Sequence, residues 1–215
     1  MRACATTLES ELTNNELQFL LSSIGSDPKP GKHLEIGTAA GGTLWEMLRS
    51  FNDSNQPPFV VVDPMNYFPD QFSKVCENLK QHECDPDWVD FKISKSADAF
   101  IEAESNNERF DVIFIDGNHK IRYVTKDLRW SRLLNPDGLL LLHDYNPQFP
   151  GVWRSVNRFL NKYRHFSVIG HVEDLVAIRK TGESFLKEVS AIDIIWANIW
   201  HPIYNLGASI KKRLH

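Results

Sequence analysis

Four short stretches of this 215-residue chain concentrate the side chains that can do chemistry. In "FDVIFIDGNHK" an apolar run delivers Asp116 and, three residues later, His119. In "LLLLHDY" a second apolar run delivers His143 and Asp144. Two carboxylates and an imidazole suit a hard-to-borderline divalent cation such as Mg²⁺ or Mn²⁺. An imidazole also titrates where a general base should, so His119 is a candidate base. In "HLEIGTAAGGTLW" the pattern is E-x-G-x-x-x-G, with Glu35, Gly37 and Gly41. Glycines there let the backbone approach a ligand closely. "FVVVDP" ends in Asp63, 26 residues after Gly37, near the spacing at which an acid grips a ribose diol. Such a carboxylate gains roughly 1.5–3 kcal/mol for each hydroxyl it accepts. Together, glycine loop and acid indicate an adenosine-containing cofactor. They do not form a dinucleotide fingerprint, because Ala39 stands where the second glycine of G-x-G-x-x-G belongs. An NAD-dependent dehydrogenase is excluded on that register.

These residues need rigid elements to carry them. "TLESELTNNELQFLLSSIG" has apolar residues at helical spacing, so a leading helix is predicted over about 8–25, ending at Gly25. From Lys32 onward, short apolar runs (32–36, 59–63, 89–93, 111–115, 139–143) alternate with stretches of helical period. That alternation predicts βαβ units and an α/β, doubly wound, mostly parallel sheet. "FVVV", "VIFI" and "LLLL" are apolar on both faces, as strands covered by helices on both sides must be. "HFSVIGHVEDLVAIRK" reads instead as an antiparallel hairpin, with a tight turn at Glu173 and Asp174 closing the sheet. In open α/β sheets, ligands bind at the carboxyl ends of the strands. A buried strand ending in a carboxylate therefore carries that acid to a crevice, and neighbouring strands would bring Asp116, His143 and Asp144 to one edge.

"EIGTAAGG", "VVVDP", "FDVIFIDGNH", "LLNPDGLLLLHDY" and "PGVWRSV" together resemble class I S-adenosylmethionine-dependent methyltransferases. The likeness is to the branch with the macrocin O-methyltransferase-like enzymes and methyltransferase domain family 24, over roughly residues 30 to 180. The resemblance implies a Rossmann-like, seven-stranded sheet with one antiparallel strand. It implies that Glu35, Gly37, Thr38, Ala39, Gly41 and Thr43 surround the methionine end of S-adenosylmethionine. Asp63 would hold the ribose hydroxyls, Ser96 would lie near the adenine, and Asp116 would also border the cofactor. Asp116, His143 and Asp144 match the metal-ligand positions of metal-dependent members, although an acid is usual where His143 stands. His119 matches the position of the general base. Many relatives carry a tyrosine two residues beyond it, where this chain has Ile121.

The expected function is O-methylation of a hydroxyl on a small molecule or sugar, with divalent-metal assistance left open. An N-directed, metal-independent enzyme is disfavoured, because "DGNH" lacks the N/D-P-P-Y/F motif of that class. A cofactor-binding module without catalysis is the other alternative. Aromatics in 63–72 and 145–153 (Tyr67, Phe68, Phe72, Tyr145, Phe149, Trp153) would suit an acceptor ring.

A formal charge of −4 gives no electrostatic argument for a nucleic-acid partner. Cys4, Cys76 and Cys84 make neither a disulfide framework nor a four-ligand zinc site. With no apolar signal core in "MRACATTLESEL", a cytoplasmic protein with reduced thiols is expected. Residues 1–182 read as a single methyltransferase domain and 183–215 as a Trp-rich helical extension. In that extension Ile192, Trp196 and Ile199 fall on one helical face, with Trp200 beside it, and Pro202 is expected to end the helix. Asp193, Asn198, His201 and Pro202 rule out a membrane span. The extension is expected to pack on the core or on a second copy in a homodimer. An interfacial anchor helped by Lys211, Lys212 and Arg213 is the alternative.

Overall fold

Runs of valine, isoleucine and leucine that are apolar at every position bury both faces of a strand, and a sheet with two helical layers results. The computed structural model describes residues 8–25, 31–51, 55–182 and 187–211, with side chains to residue 204. Its strands are β1 (Lys32–Ile36), β2 (Phe59–Val62), β3 (Val89–Lys92), β4 (Phe110–Ile115), β5 (Leu134–Leu142), β6 (Phe166–Val172) and β7 (Leu175–Lys180). Its helices are α1 (Asn14–Gly25), α2 (Gly42–Arg49), α3 (Gln71–Gln81), α4 (Ser96–Ser105), α5 (Ile121–Asp127), α6 (Pro150–Lys162) and α7 (Ala191–Lys211). The sheet order is β3-β2-β1-β4-β5-β7-β6. β1 to β5 pair in parallel, whereas β7 runs antiparallel to both β5 and β6. The seven strands, the single antiparallel member and the hairpin turn at Glu173–Asp174 are as the sequence leads one to expect.

Alternation along each strand splits the core in two. Leu34, Ile36, Val60, Val62, Ile113 and Ile115 face one layer with Phe100 and Trp130. Phe59, Val61, Val112 and Phe114 face the other with Leu20, Leu44 and Met47. Burying one such side chain stabilises the fold by roughly 1.5–3 kcal/mol, so the central strands are rigid carriers for whatever follows them.

Two expectations are corrected. The leading helix begins at Asn14, not near residue 8. Thr13 and Glu16 form a reciprocal capping box: the Glu16 N–H donates to Thr13 Oγ1 (3.2 Å) and the Thr13 N–H to Glu16 Oε2 (2.9 Å). A cap of this kind fixes where a helix starts, and residues 8–13 before it run as a non-helical strap. Pro202 does not end the last helix, which continues to Lys211. A proline inside a helix costs one hydrogen bond and crowds the preceding turn, which this helix absorbs as a local defect. Ile192 and Ile199 face outward at 68% and 61% exposure, while Asp193 and Ala197 are the buried positions among the described side chains of α7. α7 packs on α5 and α6, with Asp193 accepting from Lys162 Nζ (2.6 Å) and Tyr163 Oη (2.8 Å). Lys212 and Arg213 lie outside the described residues, as does Cys4. Among the described residues no helix is long and apolar enough to cross a membrane.

Candidate active site

In-register pairing decides which residues share the carboxyl edge. Val62, Ile36, Ile115 and Leu142 are matched across β2, β1, β4 and β5. The ladder continues one residue further: Gly37 N–H donates to Val62 O (3.1 Å), Asp116 N–H to Ile36 O (2.9 Å) and His143 N–H to Ile115 O (3.1 Å). Asp63, Gly37, Asp116 and His143 therefore form one row. With strands about 4.8 Å apart it spans roughly 15 Å.

At the glycine end of the row, Gly37 and Gly41 hold φ of 86° and 89°, and Ala39 sits at 46°. Gly37 has a second reason to lack a side chain: the carbonyl oxygen of Asp116 occupies the space a Cβ would need. Asp63 clamps the loop, accepting from Thr38 N–H on Oδ2 (3.0 Å) and from Met65 N–H on Oδ1 (2.6 Å). Each oxygen retains a further lone pair for a ligand hydroxyl. From α3, Gln71 Nε2 donates to Ala39 O (2.9 Å) and Asn78 Nδ2 to Ala40 O (3.0 Å). Glu35 is 1% exposed, with the Thr38 hydroxyl beside its carboxyl group. Burial pushes its pKa up to about 8, with Thr38 opposing the rise and the charges of Asp116 and Asp63 adding to it. Over this loop runs the strap: Ser10 Oγ and Thr43 Oγ1 are 2.8 Å apart, and the Glu9 backbone lies where Gly42 would carry a side chain. A cavity of about 30 Å³ remains, lined by Glu9, Glu11, Glu35, Thr38, Thr43 and Asp116 among others.

The other end of the row is a cluster of imidazoles and carboxylates. Asp116, His143 and Asp144 offer ligand atoms within 4.8 Å of one another. His143 Nδ1 lies 3.1 Å from Asp116 Oδ1 and 3.7 Å from Asp144 Oδ2, and its Nε2 lies 3.5 Å from Glu16 Oε2. His119 Nε2 is 2.6 Å from Asp144 Oδ2. Asp144 reaches both imidazoles because it turns sharply off β5 with φ of 57°, a left-handed conformation that aspartate tolerates better than most residues. Burial by itself would lower the pKa of His143, but the hydrogen bond and charge of Asp116, with Asp144 and Glu16, push it up to about 9. The same contest raises His119: burial opposes, and the Asp144 hydrogen bond and charge prevail. His119 is fixed from below as well. The space beside Gly151 is filled by the His119 carbonyl, and the Phe149 ring stands edge-on to the imidazole at 4.9 Å.

The residues singled out from sequence thus fall into one crevice, with Asp116 common to its two halves. Ser96 opens α4 and reaches this edge through Asp127, whose carboxylate lies beside Gly117. The Ser96 hydroxyl accepts from Trp130 Nε1 (2.9 Å) and bonds to buried Asp127, whose pKa burial nonetheless raises to about 7. Sequence reasoning missed Glu16, Gln71 and Asn78. Glu16 was visible as the last residue of the capping pattern "TNNE". Its burial beneath His143, with Oε1 also accepting from Asp174 N–H (2.8 Å), needs the tertiary fold.

Solved structures share this architecture. An O-methyltransferase from Bacillus cereus in complex with SAH is similar at 17% identity, covering 79% of this chain and 83% of that one, with a TM-score of 0.62. TomG from Streptomyces achromogenes, an O-methyltransferase of tomaymycin synthesis in complex with SAM, is 15% identical over 80% and 82%, at 0.61. CalS11, a TDP-rhamnose 3′-O-methyltransferase of calicheamicin biosynthesis, is 15% identical over 76% and 75%, at 0.58. No curated protein matches the sequence. A family model for methyltransferase domains, methyltransferase family 24, matches residues 34–145, the span that runs from β1 through the glycine loop to the residue after Asp144. On that match, over half its length, this chain belongs to the methyltransferase domain family 24.

Proposed function

We propose that this protein is an S-adenosylmethionine-dependent O-methyltransferase acting on a hydroxyl of a small molecule or sugar. The observation that carries the reading is the His119–Asp144 pair at 2.6 Å, set on the same sheet edge as the glycine loop. S-adenosylmethionine, when bound, supplies an electrophilic methyl group on a positively charged sulfur. The loop fits such a group. Glu35 is a buried carboxyl beside the Thr38 hydroxyl, and a cationic ligand would draw it into its charged form. Asp63 has lone pairs for a ribose diol, while Gly37, Ala39, Gly41 and Thr43 shape the turn. Ser96 would border the adenine side. All three similar structures described above are O-methyltransferases, and one of them acts on a nucleotide sugar, which supports a hydroxyl acceptor.

An alkyl hydroxyl attacks poorly until its proton has a destination. With Nε2–H of His119 held by Asp144, Nδ1 is the nitrogen left to take that proton. Asp144 fixes the ring and stabilises the imidazolium that forms, a division of labour worth about 10²- to 10⁴-fold in rate. Asp116, His143 and Asp144 also fit a divalent cation by donor type. Held there, it would lower the pKa of an acceptor hydroxyl and orient it. The same carboxylates also engage imidazoles, with His143 between Asp116 and Glu16, so a metal-free version rests on the His119–Asp144 pair alone. In this reading residues 1–182 are the catalytic unit and 183–215 a C-terminal extension, of which α7 packs on α5 and α6.

Isothermal titration should show S-adenosylhomocysteine binding that Asp63→Ala weakens by tenfold or more. No binding at millimolar ligand would sink every version. Turnover on a panel of hydroxylated acceptors, with and without a chelator, separates the two catalytic readings. Loss on chelation and recovery with Mg²⁺ or Mn²⁺ selects the metal, and indifference selects His119 alone. Cofactor binding without turnover on any acceptor would leave a binding module.

A further inference from the structure

Between α6 and α7 lies an open groove of about 640 Å³, on the outer side of the helical layer. Trp153 and Trp196 form its aromatic walls, and Arg154, Arg158 and Lys162 line it with Asn157. The three cations fall at i, i+4 and i+8 of α6, a single helical face. Like charges at that spacing destabilise a helix, so the arrangement needs compensation. One buried carboxylate supplies part of it. Asp193 Oδ1 lies 3.2 Å from Arg158 Nη2, and its Oδ2 lies 2.6 Å from Lys162 Nζ. Among the described residues no carboxylate pairs with Arg154, whose guanidinium lies over the Tyr204 ring at 4.8 Å. Two positive charges are therefore left over in a groove of small-molecule size. Arg158 is also incompletely used: it stacks over Trp196 at 4.6 Å, and its buried Nε has no hydrogen-bond partner.

We propose that this groove binds a small organic phosphate whose planar ring stacks on the tryptophans while Arg154, Arg158 and Lys162 hold the phosphate. Guanidinium groups bind phosphate oxygens through paired, charge-assisted hydrogen bonds, and an aromatic wall adds affinity for a flat group without dictating its identity. The groove adjoins the crevice through one layer of rings. Trp153 stacks on Tyr145 at 4.6 Å, and Tyr145 directly follows Asp144. The site does not depend on the methyltransferase reading, because none of its residues contributes to cofactor or base.

The test uses phenyl phosphate and inorganic phosphate on the full chain, read by titration calorimetry and tryptophan fluorescence, with and without saturating S-adenosylhomocysteine. Phenyl phosphate has no ribose diol for Asp63 to grip, so a response that persists under saturation comes from elsewhere. The expected result is saturable phenyl phosphate binding at millimolar or lower concentration, on the order of tenfold weaker in Arg154→Gln. Trp153→Leu should weaken phenyl phosphate but leave inorganic phosphate unchanged. Arg154 is exposed, so R154Q should melt like the parent. Absence of binding by either probe overturns the proposal, as does binding that R154Q and R158Q both leave intact. Failure of S-adenosylhomocysteine to bind while phenyl phosphate still does would overturn the catalytic reading and spare this one.

Discussion

At the scale of single residues, the crevice is governed by carboxylates whose surroundings differ. Glu35 has its folded-state pKa raised from 4.5 to about 8, so the folded protein holds that proton more tightly than the unfolded chain does. Its contribution to stability is thus fully present below pH 4.5 and is lost as pH rises through about 8. Glu35→Gln, which cannot ionise, should raise the melting temperature of the cofactor-free protein at pH 9 and leave it nearly unchanged at pH 4.5. An equal effect at both values would show that burial does not control this group. His119 obeys a different rule. Asp144 raises its pKa, so the rate should climb with pH through a value above the ordinary 6.5. Asp144→Asn should move that limb downward and slow turnover. His119→Ala should cut kcat by about 10²- to 10⁴-fold while S-adenosylhomocysteine affinity, read by calorimetry, stays the same.

At the scale of elements, the site depends on how helix ends meet strand ends. α6 begins against the loop that carries His119, with Gly151 packed on the His119 carbonyl. Gly151→Ala should therefore displace the base without altering any reacting group. Turnover should fall at least tenfold while far-ultraviolet circular dichroism and cofactor affinity remain as in the parent. Much at this scale was legible in the sequence. "VIFI" and "LLLL" named the central strands because uninterrupted apolar runs need cover on both sides, and parallel pairing then set Asp116 and His143 side by side. The strap was not legible, because "TLESEL" carries helix-forming residues and only the Thr13–Glu16 cap excludes them from α1. Nor was the run of α7 through Pro202, or the outward turn of Ile192 and Ile199. Helical period tells which residues share a face, whereas Asp193, bonded to Lys162 and Tyr163, decides which face turns inward.

At the scale of the whole molecule, one sheet joins two apolar layers, and its middle strands hold both the fold and the site. Phe114 in β4 is fully buried, between α-helical and strand neighbours of one layer. Phe114→Ala should cost about 3–5 kcal/mol in denaturant unfolding, with midpoint and activity lost together because β4 also delivers Asp116. A loss of stability confined to one layer, seen as a second transition, would contradict a single cooperative core. The strap across the glycine loop has a consequence in time rather than in energy. Residues 9 and 10 rest on Gly42 and Thr43, and the space left beneath is about 30 Å³, room for a water molecule and not for an amino acid. A ligand reaching that loop must wait for the strap to lift, and a spent one must wait again. In stopped-flow mixing, the observed association rate should level off as ligand concentration rises, and Ser10→Ala should raise the plateau. A rate that stays linear in concentration would show that the strap is no gate, and the turnover clock would then lie elsewhere.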